Sequence, residues 1–314
     1  MQNRSQRKGQ CNVSKGCASD GVWQAPLLLS GNLSHPSIFA GRIVGGFRDR
    51  WCSIRLNRCC IAAMSRLQAV FWDVDGTLAD TEMDGHRPAF NLAFQEVGLD
   101  WCWNPDLYRR LLSIPGGTQR VLHYASEVGA QVGQPQLQHL KRVKQSHYLD
   151  LVRSRAVSLR PGVLRLINEL RCHGISQWIV TSSGRASVDA LLETFFATDA
   201  TPFAGVVSSD DVSRHKPHPD PYRCALERSG VLPESGLAIE DSAAGLRAAT
   251  ASSLSCLLTP SPWDQDVSVL FDRACAVVSH LGEPSHRLDL MSGPTCPEGM
   301  ITLEYLQSLL ENDA

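Results

Sequence analysis

The sequence has 314 residues, of which 43% are hydrophobic and 20% are charged, and its formal net charge is −2. These proportions are ordinary for a globular protein, and the small net charge gives no indication of a nucleic-acid partner. No apolar run reaches the roughly 18–20 residues needed to cross a membrane, so no membrane partner is predicted. The eleven cysteines show no CxxC spacing, which argues against a zinc site or a disulfide framework.

The first 66 residues differ from the rest of the chain. They contain ten Lys or Arg residues but only two acidic residues, Asp20 and Asp49, and they show no helical or strand periodicity. This bias is typical of an organelle transit peptide, which would place the protein in a plastid. Because Met64-Ser65-Arg66 immediately precedes the first apolar strand, we favour a mis-assigned start or a disordered extension. We expect a monomer located in the cytoplasm.

A buried strand and a block of helices follow the leader. The apolar run Leu67–Asp73 is rich in strand-forming residues, and Asp75-Gly76-Thr77 is typical of a turn. Residues 83–157 then have helical periodicity throughout. The predicted helices of this block are Arg87–Val97, Pro105–Leu112, Gly117–Val128 and Pro135–Arg155.

After Arg160-Pro161-Gly162, helices and short apolar strands alternate, which favours a parallel sheet covered on both faces. We therefore predict an α/β fold: a Rossmann-like core of residues 67–82 and 158–282, with an all-helical cap of residues 83–157 inserted after the first strand. Residues 283–314 form a tail with one short helix. The predicted helices are Val163–His173, Ser187–Phe196, Pro219–Ser229, Ala243–Thr250 and Leu303–Leu310, and the strands are Gln177–Thr181, Gly205–Ser208, Gly236–Glu240 and Leu254–Thr259.

Polar residues that suit phosphate chemistry stand where these strands end, which is where sites form in an open α/β sheet. Asp73 and Asp75 follow the first strand, and Glu240-Asp241 closes a later one, so these carboxylates could hold a hard cation such as Mg²⁺. Hydroxyls and backbone N–H groups at Thr181-Ser182-Ser183 can bind phosphate oxygens. Lys216 adds a positive charge that can stabilise a phosphoryl group in transfer.

These four motifs, in this order, resemble those of the haloacid dehalogenase superfamily. Within it the chain is similar to the β-phosphoglucomutase-like branch, and most to the CbbY sugar-bisphosphate phosphatases, which act on xylulose 1,5-bisphosphate. The resemblance covers residues 67 to about 282. Further similarities are Asp80-Thr81-Glu82, His86-Arg87-Pro-Ala-Phe-Asn91, Gly116-Gly117-Thr-Gln-Arg120 and Thr259-Pro-Ser-Pro-Trp263.

The resemblance implies a role for each matching residue. Asp73 is the nucleophile, Asp75 the general acid and base, and Thr181 and Lys216 hold the phosphoryl oxygens. Mg²⁺ is the implied cofactor, with a sugar phosphate as the partner. The implied metal ligands are Asp73, Asp75, Glu240 and Asp241. The implied substrate-binding residues are Glu82, His86, Gly116, Gly117, Arg120, Lys141, Lys144, Ser182, Ser183 and Arg185.

Two alternatives remain open at this stage. A sugar phosphomutase would use the same aspartate pair but return the phosphoryl group to another hydroxyl of the sugar. A sugar-phosphate sensor would bind without turnover, although it would have no need of the nucleophile. A dehalogenase is disfavoured, because Asp75 and the metal carboxylates would then be superfluous.

Overall fold

A computed structural model of the chain describes residues 67–114, 116–196, 201–261, 263 and 267–312. The basic leader, residues 1–66, lies outside these ranges, so both interpretations of it stay predictions. Within the described ranges, no helix has the length and apolar character required to span a membrane.

Among the described residues, seven strands form one sheet that is parallel except at one edge. They are β1 (Ala69–Trp72), β2 (Ser176–Val180), β3 (Gly205–Val207), β4 (Gly236–Glu240), β5 (Ser255–Leu258), β6 (Ala276–Val278) and β7 (Leu290–Ser292). Their order across the sheet is β3-β2-β1-β4-β5-β6-β7, and only β7 is antiparallel to its neighbour. This arrangement confirms the predicted α/β class.

The helices cover both faces of the sheet and form the inserted block. They are α1 (Arg87–Glu96), α2 (Pro105–Leu111), α3 (Gly117–Glu127), α4 (Gln134–Arg153), α5 (Val163–Cys172), α6 (Arg185–Phe196), α7 (Asp220–Ser229), α8 (Ala243–Thr250) and α9 (Leu303–Asn312). A π-helical turn, Glu82–His86, leads into α1. The 3₁₀ segments are Ser209–Asp211, Pro233–Ser235 and Val267–Arg273.

The pairing of β1 with β2 and β4 brings the carboxyl ends of these three strands together. All residues of β1 and β4 are buried, because both faces of the sheet are covered. In the register, Trp72 at the end of β1 aligns with Ile179 of β2 and with Ile239 of β4. The residues that follow these three positions therefore lie at one edge of the sheet.

The helices α1 to α4 lie between β1 and β2 in the chain and have an apolar cluster of their own. Its centre is aromatic: the ring of Trp103 lies 4.8 Å from those of Phe90 and Phe94, centroid to centroid. The two chain segments that join this block to the sheet run side by side. Their backbones pair at Ala79 and Leu159, and the N–H of Arg160 donates to the carbonyl of Leu78.

The C-terminal residues add more to the sheet than the sequence indicated. The predicted strands include neither β6 nor β7, and β7 is largely exposed, so no buried apolar run marks it. The final helix, α9, buries Leu306, Leu309 and Leu310 in the same cluster that holds α5. The described part of the predicted tail, residues 283–312, thus shares the hydrophobic core of the preceding segment.

Candidate active site

Four buried polar side chains meet at the carboxyl edge of the sheet. Asp73 directly follows β1, Thr181 directly follows β2, and Glu240 and Asp241 stand at the end of β4. The parallel register described above places them side by side. The N-terminus of α8 also faces this edge, where Ser242 caps it by accepting a hydrogen bond from Gly245 N–H at 3.1 Å.

Lys216 lies among these carboxylates. Its Nζ donates to Asp73 Oδ1 at 2.6 Å and to the Val180 carbonyl at 2.7 Å, and it is 2.6 Å from Glu240 Oε1. Burial opposes its charge, but the Asp73 and Glu240 carboxylates raise the pKa of Lys216 overall. The lysine is therefore protonated at neutral pH and holds the Asp73 carboxylate in place.

Three carboxylates could hold a metal ion. Asp73, Glu240 and Asp241 each offer an oxygen, and these oxygens lie within 4.8 Å of one another. Burial raises the pKa of all three; repulsion from Asp73 adds to the rise at Glu240 and Asp241, and Lys216 opposes it. Three buried carboxylates beside one lysine leave an excess of negative charge. This donor set fits a divalent cation that prefers oxygen ligands.

The Asp75 carboxylate interacts with residues other than these three carboxylates and Lys216. It accepts hydrogen bonds from Thr81 Oγ1 at 2.6 Å and from Ser183 Oγ, and His86 Nε2 lies 3.4 Å from it. Burial alone would raise the pKa of Asp75, but His86, Ser183 and Thr81 together lower it well below its usual range. The sequence placed Asp75 among the metal ligands, yet its side chain lies outside the three-carboxylate group. A contact through its backbone carbonyl stays a prediction.

A cavity of about 950 Å³ lies between this edge and the helical block, and most of the predicted residues line it. Those that do are Asp73, Asp75, Glu82, His86, Gly116, Gly117, Arg120, Lys144, Thr181, Ser182, Ser183, Lys216 and Asp241. Glu240 is fully buried beneath the surface of the cavity.

Besides Glu240, two predicted residues do not line the cavity. Lys141 is exposed on α4, one turn before Lys144. Arg185 is also exposed, and its Nε donates to Asp189 Oδ1 at 2.8 Å. The structure therefore does not bring either side chain to the site, because each points to solvent from its helix.

On the helical wall of the cavity, Arg120 is already partnered. Its Nε donates to the Ile114 carbonyl at 3.0 Å, and its Nη1 lies 3.3 Å from Tyr108 Oη and 3.7 Å from Glu82 Oε2. Tyr108 Oη in turn donates to Glu82 Oε2 at 2.6 Å. These contacts fix the orientation of the guanidinium before any ligand binds.

Lys144 and His86 link this wall to Asp75. Lys144 Nζ lies 2.8 Å from His86 Nδ1, so a protonated lysine donates to it and leaves the ring proton on Nε2, facing Asp75. Burial lowers the pKa of Lys144 to about 8, although Glu82 and Asp75 oppose this shift. The lysine charge is therefore sensitive to pH near neutrality.

Sequence reasoning missed several side chains at the site. Tyr222 Oη donates to Glu240 Oε1 from α7, and Arg109 of α2 lies over the ring of Trp263 at 5.0 Å. Trp263 appears in the sequence analysis only within the similarity Thr259-Pro-Ser-Pro-Trp263. The sequence gives no reason to choose Arg109 over its neighbour Arg110. Contacts between distant segments of this kind leave no signal in local periodicity.

The comparison with known protein families decides the assignment. The model of the haloacid dehalogenase-like hydrolases matches residues 70–258. The chain belongs to this family. The CbbY protein of Cupriavidus necator is 41% identical over 70% of this chain and 87% of its own length. A CBBY-like protein of Arabidopsis thaliana is 33% identical over 71% of this chain and 72% of that protein.

Solved structures agree with this assignment. The crystal structure of CbbY from Rhodobacter sphaeroides in complex with phosphate is 35% identical, covers 64% of this chain and 89% of that one, and has a TM-score of 0.57. A CbbY mutant from the same organism, solved with xylulose-(1,5)bisphosphate, has a TM-score of 0.56 at 35% identity and covers 63% of this chain and 88% of that one. As a CbbY-like member of the hydrolase family, the chain is a phosphatase.

Proposed function

We propose that the chain is a Mg²⁺-dependent phosphatase that removes one phosphoryl group from a small sugar bisphosphate, with Asp73 as the covalent nucleophile. The observation that carries this proposal is the environment of the Asp73 carboxylate. It stands in the wall of the cavity, is held by Lys216 at 2.6 Å, and belongs to the group of carboxylates that can bind a metal ion.

The reaction divides into two displacements at phosphorus. An Asp73 oxygen attacks phosphorus and the sugar oxygen leaves, which forms an aspartyl phosphate. Water then attacks the same phosphorus, releases inorganic phosphate and restores the carboxylate. The Lys216 ammonium and the N–H and hydroxyl groups of Thr181 and Ser182 lie where they can stabilise the charge on the phosphoryl oxygens.

Asp75 is the proposed acid and base. Its low pKa and its bond from Ser183 favour the ionised form, which suits removal of a proton from the attacking water. To protonate the leaving sugar oxygen, Asp75 must first gain a proton. His86, at the start of the helical cap, lies 3.4 Å from Asp75, so the position of the cap acts on this carboxylate.

The metal proposal rests on the chemistry of the donors. Asp73, Glu240 and Asp241 offer only carboxylate oxygens, which Mg²⁺ prefers over nitrogen or sulfur ligands. A divalent cation held there offsets the repulsion between the anionic nucleophile and the phosphate.

Charge on the cap side of the cavity supports a second anionic group on the substrate. Arg109, Arg120 and Lys144 all line the cavity from the cap, and its volume of about 950 Å³ exceeds what one phosphate needs. The R. sphaeroides CbbY mutant was solved with a ketopentose bisphosphate. We therefore propose a substrate similar to xylulose 1,5-bisphosphate.

A phosphate-release screen over sugar monophosphates and bisphosphates tests this proposal. We expect Mg²⁺-dependent release that is fastest with a pentose bisphosphate and is lost in Asp73→Asn. Preference for a monophosphate would remove the bisphosphate assignment. A parallel assay for migration of phosphate between sugar hydroxyls tests the mutase alternative, and migration faster than release would overturn the phosphatase proposal.

A further inference from the structure

A buried arginine lies behind the metal-binding carboxylates. Arg160 follows the helical cap in the chain, and only 6% of it is exposed. Its guanidinium donates to backbone carbonyls of four residues at the carboxyl edge of the sheet. Nη1 donates to Thr259 O at 2.7 Å and to Gly76 O, and Nη2 donates to Ser279 O at 2.8 Å and to Pro260 O at 3.2 Å.

The partners of this charge are mostly neutral. The only carboxylate paired with Arg160 among the described ion pairs is Asp80, 3.9 Å from Nε, whose side chain is 38% exposed. Burial lowers the pKa of Arg160, and the charges of Asp241 and Asp80 oppose this shift, so the guanidinium keeps its charge inside the protein at a cost. A methionine or leucine would fill the same space but would leave four backbone carbonyls without a donor, so the guanidinium ties these segments together as well as filling space.

The carbonyls that it binds belong to segments that surround the carboxylates. Gly76 packs directly against Asp241: a Cβ atom at Gly76 would lie 2.0 Å from Asp241 Oδ2. Thr259 donates its N–H to the Glu240 carbonyl at 2.7 Å. The positive charge of Arg160 also acts on the Asp241 carboxylate.

We propose that Arg160 is a positioning residue for the metal site. By binding Gly76 on one side and Thr259 on the other, it holds the loop after Asp73 at a fixed separation from the end of β5, where the Thr259 N–H bonds to the Glu240 carbonyl of β4. Lys216 fixes the carboxylates of Asp73 and Glu240 directly, whereas Arg160 fixes the backbone segments that carry and flank the three carboxylates. This inference rests on the proposed metal site.

The chain offers a matched control. Arg165 also donates to three backbone carbonyls, those of Leu281, Gly282 and Ile301, and it pairs with Glu169. It thereby joins α5 to the C-terminal segment, and it does not line the cavity. A lysine at either position keeps the charge but loses the planar fork that reaches several acceptors at once. Arg160→Lys and Arg165→Lys therefore remove similar bonds at different places.

The test measures metal affinity in the absence of substrate. Mn²⁺, which takes the same oxygen ligands as Mg²⁺, is titrated into the full-length protein, and the free ion is followed by electron paramagnetic resonance. We expect Arg160→Lys to weaken Mn²⁺ binding by about 10–100-fold, the usual effect of losing a group that orients metal ligands. Arg165→Lys should lower the melting temperature but leave Mn²⁺ affinity within about twofold of wild type.

A second variant disturbs the packing of Gly76 against Asp241 without changing Arg160. Gly76→Ala keeps Arg160 but places a methyl group against Asp241, so it should also weaken Mn²⁺ binding. Wild-type affinity in Arg160→Lys, or equal loss in Arg165→Lys, would overturn the role of Arg160 while leaving the metal site intact. A wild-type protein that binds no Mn²⁺ would overturn the metal site and this role with it.

Discussion

Replacing Lys216 with methionine tests whether this lysine neutralises the buried carboxylates. Only 5% of its side chain is exposed, and its Nζ contacts Asp73 and Glu240, each at 2.6 Å, and the Val180 carbonyl at 2.7 Å. Methionine fills a similar volume but offers no charge and no donor. The variant therefore leaves two buried carboxylates without their cation.

Breaking a buried ion pair from one side costs about 3–5 kcal/mol, because the remaining charge stays desolvated. Such a loss is a large part of the roughly 5–15 kcal/mol that stabilises a typical domain. Without the lysine, the pKa values of Asp73 and Glu240 rise further above their unfolded values. Groups with raised pKa values stabilise the fold at low pH and lose that contribution as the pH rises. The loss in free energy of unfolding caused by Lys216→Met should therefore shrink from pH 7.5 towards pH 5.

Urea unfolding in the presence of a chelator measures this cost directly. Lys141→Met is the matched control: it removes an exposed lysine outside the cavity and should change the free energy of unfolding by less than about 0.5 kcal/mol. If Lys216→Met lowers the free energy of unfolding by less than about 1 kcal/mol at pH 7.5, or if the decrease grows as the pH falls, this account of the carboxylate cluster is refuted.

Three further predictions concern the cap side of the cavity. Because burial lowers the pKa of Lys144 to about 8, kcat/KM for a sugar phosphate should fall above that pH, and Lys144→Arg should move the fall to higher pH; an unchanged profile would exclude Lys144. Arg120→Ala should cost about 2–4 kcal/mol in kcat/KM for a bisphosphate but little for a small phosphate monoester, and equal losses would make Arg120 structural. Trp263→Leu removes the contact with Arg109 between core and cap, so KM should rise about fivefold, the equivalent of about 1 kcal/mol, while an unaffected KM would show that the contact is dispensable.

The core of the site could be predicted because its residues stand in a fixed relation to the strands. Asp73, Thr181 and Glu240 each lie at the end of a strand that the apolar pattern reveals, and parallel strands bring such ends together. The α/β class follows from the same alternation of elements.

The cap could not be resolved in the same way. Lys141 and Lys144 lie three residues apart on α4, and helical spacing places them on neighbouring positions, yet only Lys144 reaches the cavity. Arg120 stood out in the sequence, but its ties to Tyr108 and Glu82 depend on how three cap segments pack.

The role of Arg160 could not be predicted from the sequence either. In the sequence it is one charged residue before a Pro-Gly turn, where a surface position is the usual expectation. Its burial and its carbonyl partners depend on segments more than 80 residues apart in the chain. Local pattern carries no information about such contacts.

The most direct test of the central claim is to locate the covalent intermediate. The protein is quenched during turnover of the substrate that gives the fastest phosphate release, the acyl phosphate is reduced with borohydride, and the modified residue is identified by mass spectrometry. Nucleophilic attack by Asp73 predicts modification at Asp73 and none in Asp73→Asn, which should also retain less than about 1% of wild-type turnover. Modification at another residue, or turnover that persists in Asp73→Asn, would contradict it.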